Sequence, residues 1–254
     1  MRLAIATTLP LLVLMTLPAR TIAQSVEIRG RVIDQHAQPV AGARLALRWN
    51  FQGKQPTPQW TFRTKKGMQS IQVVSDADGK FVGRMDPGFL PGGVFVIDKA
   101  MKTGAIFVVG KNNTAKEFEV TLKPLARVRG KFKDDLPALR LSSSYAYVSI
   151  PGVRMGIASD LSAKPSFNLL LPPGRYNFRF AGTDRKFLRK SIVLRKSQTE
   201  HDFGSQSLPA KALALMYGKT APALTVTDAR GVDKEFTLTD YKGRWLLIEF
   251  WGFW

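Results

Sequence analysis

The stretch VEIRGRVIDQHAQPVAGARLALRW, residues 26–49, decides the fold class. Val26, Ile28 and Val32 alternate with polar residues at the period of two that is typical of a half-buried β-strand. Residues 35–42 contain Pro and Gly and predict a turn. The alternation resumes after that turn, so this stretch predicts two strands and a β fold.

Later stretches continue the pattern. SIQVVSDADGKFVGRM, residues 70–85, predicts a hairpin of two strands joined at residues 76–79, because Gly79 accepts the positive φ of a tight turn. Residues 92–100, 104–110 and 116–125 read as further strands between Gly and Pro turns. Regular short strands of this kind predict a small β-sandwich over residues 25–124.

The same residues carry a family resemblance. Residues 28–47 together with SDADGKF, residues 75–81, resemble the carboxypeptidase regulatory-like domain, a transthyretin-like β-sandwich. The matching residues are Gly30, Val32, Asp34, Pro39, Val40, Gly42, Ala43, Asp76, Gly79 and Phe81. That family usually has Gly where His36 or Ala37 stands. The resemblance implies a fold and says little about chemistry.

A second β unit is predicted over residues 125–207. LARVRGKF, residues 125–132, repeats the Arg-Gly-basic pattern of the first strand. Residues 165–182 predict a hairpin around Pro172-Pro173-Gly174, followed by alternating aromatic residues. We predict a divergent second copy of the sandwich, followed by a linker at residues 208–217.

The last segment, residues 217–254, is YGKTAPALTVTDARGVDKEFTLTDYKGRWLLIEFWGFW. It predicts a hairpin with its turn at residues 229–231. LTDYKG predicts a short turn or helix closed by Gly243. Residues 245–250 are almost continuously apolar, which is typical of a central strand buried on both faces.

This segment resembles the N-terminal part of the thioredoxin-like redoxins of the TlpA/ResA and AhpC/TSA group. The motif residues are Gly218, Pro222, Asp240, Lys242, Gly243, Trp245, Phe250, Trp251 and Trp254. The resemblance implies a truncated α/β thioredoxin-like segment over residues 218–254. It also implies a Cys-x-x-Cys pair just after Trp254, where a helix N-terminus lowers the pKa of the first thiol.

The sequence contains no Cys, so this chain has no thiol nucleophile, and we expect it to be inactive in disulfide exchange. Three explanations of the missing pair stay open. The sequence is a fragment, or the gene carries a nonsense change, or a UGA codon after Trp254 encodes selenocysteine. We expect no catalytic residue within the chain.

The N-terminus has the layout of a secretory signal peptide over residues 1–23. Arg2 precedes an apolar run at residues 3–17, and Ala23 ends a site of small residues. The alternative is a membrane anchor, but the run is shorter than the ~20 residues that a spanning helix needs. We therefore expect export to the periplasm, the cell exterior or the cell envelope, with no transmembrane segment after cleavage.

The formal net charge is +19, and the densest basic stretch is residues 184–196. One interpretation of this charge is attraction to polyanions, such as acidic envelope polymers. The interpretation that we favour is a solvated strand pair whose Lys and Arg oppose edge-to-edge pairing. No nucleic-acid-binding motif accompanies the charge, so we expect no nucleic-acid partner. Glu200, His201 and Asp202 are consecutive and cannot all face one ion, so we expect no metal and no cofactor.

The sequence as a whole predicts a mostly β protein, with one or two Ig/transthyretin-like β-sandwich domains and a truncated α/β thioredoxin-like segment. Its predicted function is the N-terminal portion of an exported thiol-disulfide oxidoreductase, whose complete form has protein disulfides or a thiol electron donor as partners. The alternative is a secreted β-sandwich binding or scaffold protein of the cell envelope.

Overall fold

A computed structural model describes residues 25–51, 56–64, 66–133, 145–160, 165–220, 237–245 and 247. This part of the chain is mostly β, as predicted. The strands are β1 (Val26–Ile33), β2 (Arg44–Ala46), β3 (Arg48–Asn50), β4 (Thr57–Thr64), β5 (Gly67–Ile71), β6 (Val73–Val74), β7 (Lys80–Met85), β8 (Gly92–Ile97), β9 (Thr103–Val109), β10 (Glu117–Thr121), β11 (Lys123–Pro124), β12 (Ala126–Phe132), β13 (Tyr145–Ser149), β14 (Gly156–Asp160), β15 (Ser166–Leu171), β16 (Gly174–Gly182), β17 (Arg185–Leu194) and β18 (Glu200–Gln206). Short 3-10 helices span Pro87–Phe89, Ala214–Met216 and Leu238–Tyr241.

The first unit is a β-sandwich. In its three-stranded sheet, β1 lies between β7, which is antiparallel to it, and β10, which is parallel to it. The facing sheet has five strands in the order β11-β9-β8-β2-β6. Apolar side chains from both sheets form the first core, which includes Ile28, Val32, Leu45, Phe81, Val94, Val96, Val109 and Val120. Burying these side chains is the main force that holds the two sheets together.

The second unit repeats the arrangement of the first. Strand β12 lies between the antiparallel β15 and the parallel β18, as β1 lies between β7 and β10. Gly30 of β1 is opposite Phe81, and Gly130 of β12 is opposite Phe167. A Cβ on Gly130 would lie 2.7 Å from the Phe167 ring, so the glycine makes room for an aromatic ring of the neighbouring strand. The divergent second copy itself stays a prediction.

The hairpins predicted at residues 70–85 and 165–182 are wrong, although both turns are present; the third, with its turn at residues 229–231, lies outside the described residues. Strand β6 pairs with β2 and β7 pairs with β1, so the turn at residues 76–79 carries the chain from one sheet to the other. Strand β15 pairs with β12, whereas β16 pairs with β13 and β17. Residues 172–173 therefore carry the chain from one sheet to the other in the second unit. A tight turn reverses the chain locally, but the packing of the sandwich decides which sheet the next strand joins.

Strand β8 is buried on both of its faces. All six of its residues are buried, and alternate side chains enter different cores. Val94 and Val96 belong to the first core, whereas Phe95 and Ile97 belong to the core of the second unit. Strand β8 is therefore an internal strand that serves both units.

The two units also share a sheet. Strand β3 pairs in parallel with β14, with Trp49 opposite Ile157. The resulting sheet has seven strands in the order β17-β16-β13-β14-β3-β4-β5. Trp49 is 1% exposed in the second core, and its Nε1 donates a hydrogen bond to the Phe95 carbonyl at 3.0 Å. The predicted boundary between residues 124 and 125 does not separate the hydrogen bonding of the two units.

The predicted linker at residues 208–217 is held against the second unit. Leu208 is buried, and its carbonyl accepts a hydrogen bond from Nη1 of the buried Arg185 at 2.9 Å. The N–H of Lys186 donates to the Pro209 carbonyl at 2.7 Å. These contacts fix the start of the segment beside β17, so it does not act as a free linker there.

The predicted signal peptide, residues 1–23, lies outside the described residues. Within the described residues, no helix has the length and apolarity to span a membrane.

Three turns share one local design. Each begins with an Asp whose Oδ1 accepts main-chain N–H groups, and each places the third residue after that Asp in the left-handed region. The left-handed residues are Ala37 (φ 59°), Gly79 (φ 76°) and Met101 (φ 57°). Ala37 and Met101 are not glycines, so each carries a backbone strain at its positive φ that Gly79 does not.

Replacing Ala37 by Gly should raise the free energy of unfolding by about 0.5–1 kcal/mol, because Gly adopts a positive φ without a Cβ clash. The measurement is chemical denaturation of the full chain. The matched control is Ala77→Gly, at an exposed position of the Asp76 turn that has no positive φ. It should lower the stability slightly, and equal effects of the two changes would contradict the strain argument.

Replacing Trp49 by Ala should lower the stability by about 3–5 kcal/mol and divide the unfolding into two transitions, because it empties a site where both units meet. The measurement is calorimetric unfolding. Trp60 is the matched control, since it is equally buried but packs in the first core, where its Nε1 donates to the Arg84 carbonyl. Trp60→Ala should destabilise as strongly, yet keep a single transition. A single transition for Trp49→Ala would count against coupling through this residue.

Candidate functional site

A groove of about 670 Å³ lies where β3 and β14 run side by side. We call it the junction groove, because both units contribute to its walls. Its lining residues are Arg48, Trp49, Asn50, Gln59, Phe89, Tyr147, Val153, Arg154, Met155, Gly156 and Ala158. Arginine, amide and aromatic side chains thus surround one concave surface.

Strand alternation places Arg48 in this groove. On β3, Trp49 points into the second core, whereas Arg48 on the opposite face is exposed. Arg48 lies opposite Gly156 of β14, where a Cβ would come 3.1 Å from the Arg48 Cγ. The glycine therefore leaves space for the aliphatic part of the arginine to lie across β14.

Tyr147 of β13 forms the next part of the wall. It is half-buried, and its hydroxyl donates a hydrogen bond to the Met155 carbonyl. Burial raises the pKa of the Tyr147 hydroxyl, and the nearby charge of Arg48 opposes this rise without cancelling it. The hydroxyl is therefore protonated at neutral pH, and the ring is held in one place.

Arg154 reaches the groove from the loop between β13 and β14. This loop is attached to the first unit: the Arg154 N–H donates to the Pro91 carbonyl at 3.0 Å, and the Gly93 N–H donates to the Arg154 carbonyl at 2.9 Å. Nη1 of Arg154 also donates to the Gly88 carbonyl. Phe89, in the adjoining 3-10 helix, lines the same wall. Main-chain hydrogen bonds between the units thus fix the arginine.

The junction groove is basic. Its described lining includes two arginines and no Asp or Glu, and among the described residues neither Arg48 nor Arg154 forms an ion pair. Arginine presents five N–H donors in a planar fork that matches a carboxylate or a phosphate. This arrangement can hold an anionic group beside an aromatic ring.

A second groove, of about 490 Å³, lies on the outer face of β12, and one of the three cations in its lining, Arg129, is paired with carboxylates. Nε of Arg129 is 2.6 Å from Glu200 Oε1 and 2.9 Å from Asp202 Oδ2. The Gly204 N–H, and then the Arg129 side chain, lower the pKa of Asp202, which keeps that carboxylate charged. Exposed ion pairs of this kind add about 0–1 kcal/mol to stability. They also occupy Arg129, so this arginine is less available to an incoming anion than Arg48 or Arg154.

The outer face of the seven-stranded sheet continues the basic character of the junction groove. By register, Tyr147 is opposite Arg179, and Arg179 is opposite Arg189 of β17. The Arg179 guanidinium lies 3.8 Å from the centre of the Phe187 ring, which is 53% exposed. The row from Arg189 to Asn50 crosses five strands, a distance of roughly 19 Å at the usual strand spacing.

The edge position of β17 agrees with the interpretation of residues 184–196 as a solvated strand. Strand β17 is an edge strand of its sheet, where exposed Lys and Arg oppose pairing with another chain. Arg185, at its start, is the exception, because it is buried.

The redoxin motif residues are described only in part. LTDYKG forms a capped 3-10 helix at Leu238–Tyr241: the Thr237 N–H donates to Asp240 Oδ2 at 2.6 Å, and Gly243 follows with φ 82°. The predicted turn closed by Gly243 is therefore confirmed. Lys242 is the C-cap of this helix, Gly218 has φ 73°, and the Trp245 side chain is fully exposed. Pro222, Phe250, Trp251 and Trp254 lie outside the described residues, as does most of the predicted strand at residues 245–250.

The two acids beside His201 do not face it. Glu200 and Asp202 both approach Arg129, whereas the His201 ring packs edge-on against Phe203 at 4.7 Å. In the described ranges, no group of three or more His, Cys, Asp or Glu residues could hold a metal ion.

Comparisons with known proteins give no family. No family model matches the chain, and no curated protein matches it. Among solved structures, the Bacillus anthracis TIE protein aligns at 8% identity and a TM-score of 0.29, over 73% of this chain and 34% of that one. The major pilin subunit of Bacillus cereus aligns at 6% identity and a TM-score of 0.26, over 73% and 100%. A DUF3823 family protein from Bacteroides ovatus aligns at 8% identity and a TM-score of 0.21, over 68% of this chain and 100% of that one.

This chain spans about a third of the length of the TIE protein. Scores below 0.3 fall short of a shared fold, so these similarities support neither a family nor a function.

Sequence reasoning missed the junction groove. Arg48, Tyr147 and Arg154 are far apart in the chain, and none of them belongs to a local motif. The parallel pairing of β3 with β14 brings them together. The signal available in the sequence was the excess of Arg and Lys, which gives the charge of a surface but not its position.

Replacing Tyr147 by Phe should remove an ionisation step that lies above pH 10, the ordinary pKa of tyrosine, because burial disfavours the phenolate. The measurement is the difference between the wild-type and variant absorbance titrations at the phenolate band. Circular dichroism at each pH checks that both proteins stay folded. A missing step at or below the ordinary pKa would show that Tyr147 is not held in a buried site.

Proposed function

We propose that this protein is an exported β-sandwich binding protein of the cell envelope whose ligands are acidic polymers. The observation that carries the proposal is the basic outer face of the seven-stranded sheet. On that face, Arg48 lies in the junction groove with Tyr147, Arg179 lies 3.8 Å from the centre of the Phe187 ring, and Arg189 is opposite Arg179. A surface of one charge sign attracts oppositely charged polymers and raises their local concentration.

Two further features support this proposal. The N-terminal pattern of residues 1–23 predicts export, which would bring the chain into contact with envelope polymers. The shared sheet and the doubly buried β8 hold the two predicted modules, residues 25–124 and 125–207, in one fixed arrangement. A rigid face binds an extended ligand without first losing conformational entropy.

The full chain should bind acidic envelope polymers and not neutral ones, and its affinity should fall steeply as salt rises toward about 150 mM, where charges are screened beyond ~8 Å. The measurement is co-sedimentation of the chain with acidic and neutral envelope polymers over a salt series. Equal binding to both kinds of polymer, or binding that salt does not weaken, would refute the proposal.

A second candidate function is the N-terminal portion of an exported thiol-disulfide oxidoreductase. The capped turn at Leu238–Tyr241 favours it, because this turn and Gly243 have the form expected of the resembled redoxin motif. In that case Gly218, Pro222, Asp240, Lys242, Trp245, Phe250, Trp251 and Trp254 are structural residues of the redoxin domain, and protein disulfides or a thiol donor are the partners.

The oxidoreductase candidate is tested by reading the codons that follow Trp254 in the gene. An in-frame Cys-x-x-Cys, or a UGA codon followed by a redoxin remainder, supports it. A stop codon followed by no such sequence in any frame removes it. Insulin reduction by the chain in its present form would contradict the expectation that this sequence, which lacks Cys, is inactive.

A further inference from the structure

We infer that the junction groove is a binding site for a carboxylated polysaccharide, with Arg48 and Arg154 holding carboxylates and Tyr147 lying against a sugar ring. This inference rests on the proposed function, because it assigns the acidic polymer to one chemical class and one place.

The first argument is charge complementarity. Arg48 and Arg154 enter the groove from different units, and no described carboxylate pairs with either of them. An incoming carboxylate therefore meets cations that are not already neutralised, unlike Arg129 in the second groove. Bidentate pairing of arginine with a carboxylate adds geometric specificity to the charge attraction.

The second argument is the mixture of side chains. Phe89 and Tyr147 supply apolar ring surface, whereas Asn50 and Gln59 supply amide groups that both donate and accept hydrogen bonds. A sugar acid presents C–H faces, hydroxyl groups and a carboxylate, and each finds a counterpart here. A small inorganic anion would use the arginines alone, so the aromatic and amide lining favours a saccharide.

The third argument is continuity. From Tyr147 the outer face continues to Arg179 and Arg189, so further cations follow the groove at successive strands. Nε of Arg179 is buried and has no hydrogen-bond partner in the part of the chain that the structure describes. An extended polymer can bind in the groove and along this row at once, which a monosaccharide cannot do.

The test is titration of the full chain with polygalacturonate, and with fully methyl-esterified polygalacturonate as the uncharged ligand of the same backbone. Arg48→Gln and Arg154→Gln each remove one cation and keep an amide, and each should weaken polygalacturonate binding about tenfold. Arg129→Gln is the matched control, because this arginine lies in the other groove and is already paired. It should change the affinity less than about twofold.

The outcomes separate the site from the proposed function. Binding by the wild type that neither Arg48→Gln nor Arg154→Gln weakens would overturn the site but leave the proposed function standing. Failure of the wild type to bind any acidic polymer would overturn both. Equal affinity for the esterified ligand would exclude carboxylate recognition. Stronger binding of a single-stranded oligonucleotide than of polygalacturonate would overturn the polysaccharide assignment.

The Arg154→Gln variant distinguishes loss of binding from loss of folding, because Arg154 lies in an exposed loop and its replacement leaves β3 unchanged. If Arg48→Gln lowers the thermal stability, the Arg154→Gln result alone decides the assignment of the groove.

Discussion

Strand β8 has no face toward water, and much of the architecture follows from that constraint. Its alternate side chains enter two different cores, so neither unit can bury its apolar surface without the other. Apolar burial is worth about 25 cal/mol per Å² removed from water, and a strand used twice contributes to two cores at once. The indole N–H of Trp49 on β3 also donates a hydrogen bond to the Phe95 carbonyl of β8, which links these two strands. The junction groove lies beside this region, where β3 meets β14.

The sequence predicted the strands better than their partners. Period-two alternation located β1, β7 and β12. The repeated Arg-Gly-basic pattern predicted a second copy, and its two glycines, Gly30 and Gly130, each lie opposite a phenylalanine of the neighbouring antiparallel strand. The hairpins predicted at residues 70–85 and 165–182 failed for one physical reason. Asp-Gly and Pro-Gly turns fix a local reversal of the chain, whereas the choice of sheet depends on which face of the next strand is apolar and on what covers it.

Local sequence patterns could not predict the junction groove. The groove contains side chains from β3, from the 3-10 helix Pro87–Phe89, from β13 and from the loop before β14, and only a parallel pairing between distant segments unites them. Parallel pairing of separated strands leaves no turn signal in the sequence. The net charge predicted a basic surface but not which of its arginines are paired: Glu200 and Asp202 pair with Arg129, whereas no described carboxylate pairs with Arg48 or Arg154. The turn closed by Gly243 is present as a capped 3-10 helix, but such a turn does not show a redoxin segment, and Pro222, Phe250, Trp251 and Trp254 lie outside the described part.

The pairing of β3 with β14 also imposes an order of assembly. A ribosome makes the chain N-terminus first, so β3 is complete well before β14 exists. The β4 and β5 strands cover one edge of β3, and its other edge stays open during that interval. An open strand edge is a template for any other strand, including β14 of a neighbouring copy that is further advanced. The hydrogen bonds that join the two units in the finished molecule can therefore also form between two nascent chains, which would then exchange strands. The local concentration of chains during synthesis thus influences what fraction of them fold as monomers.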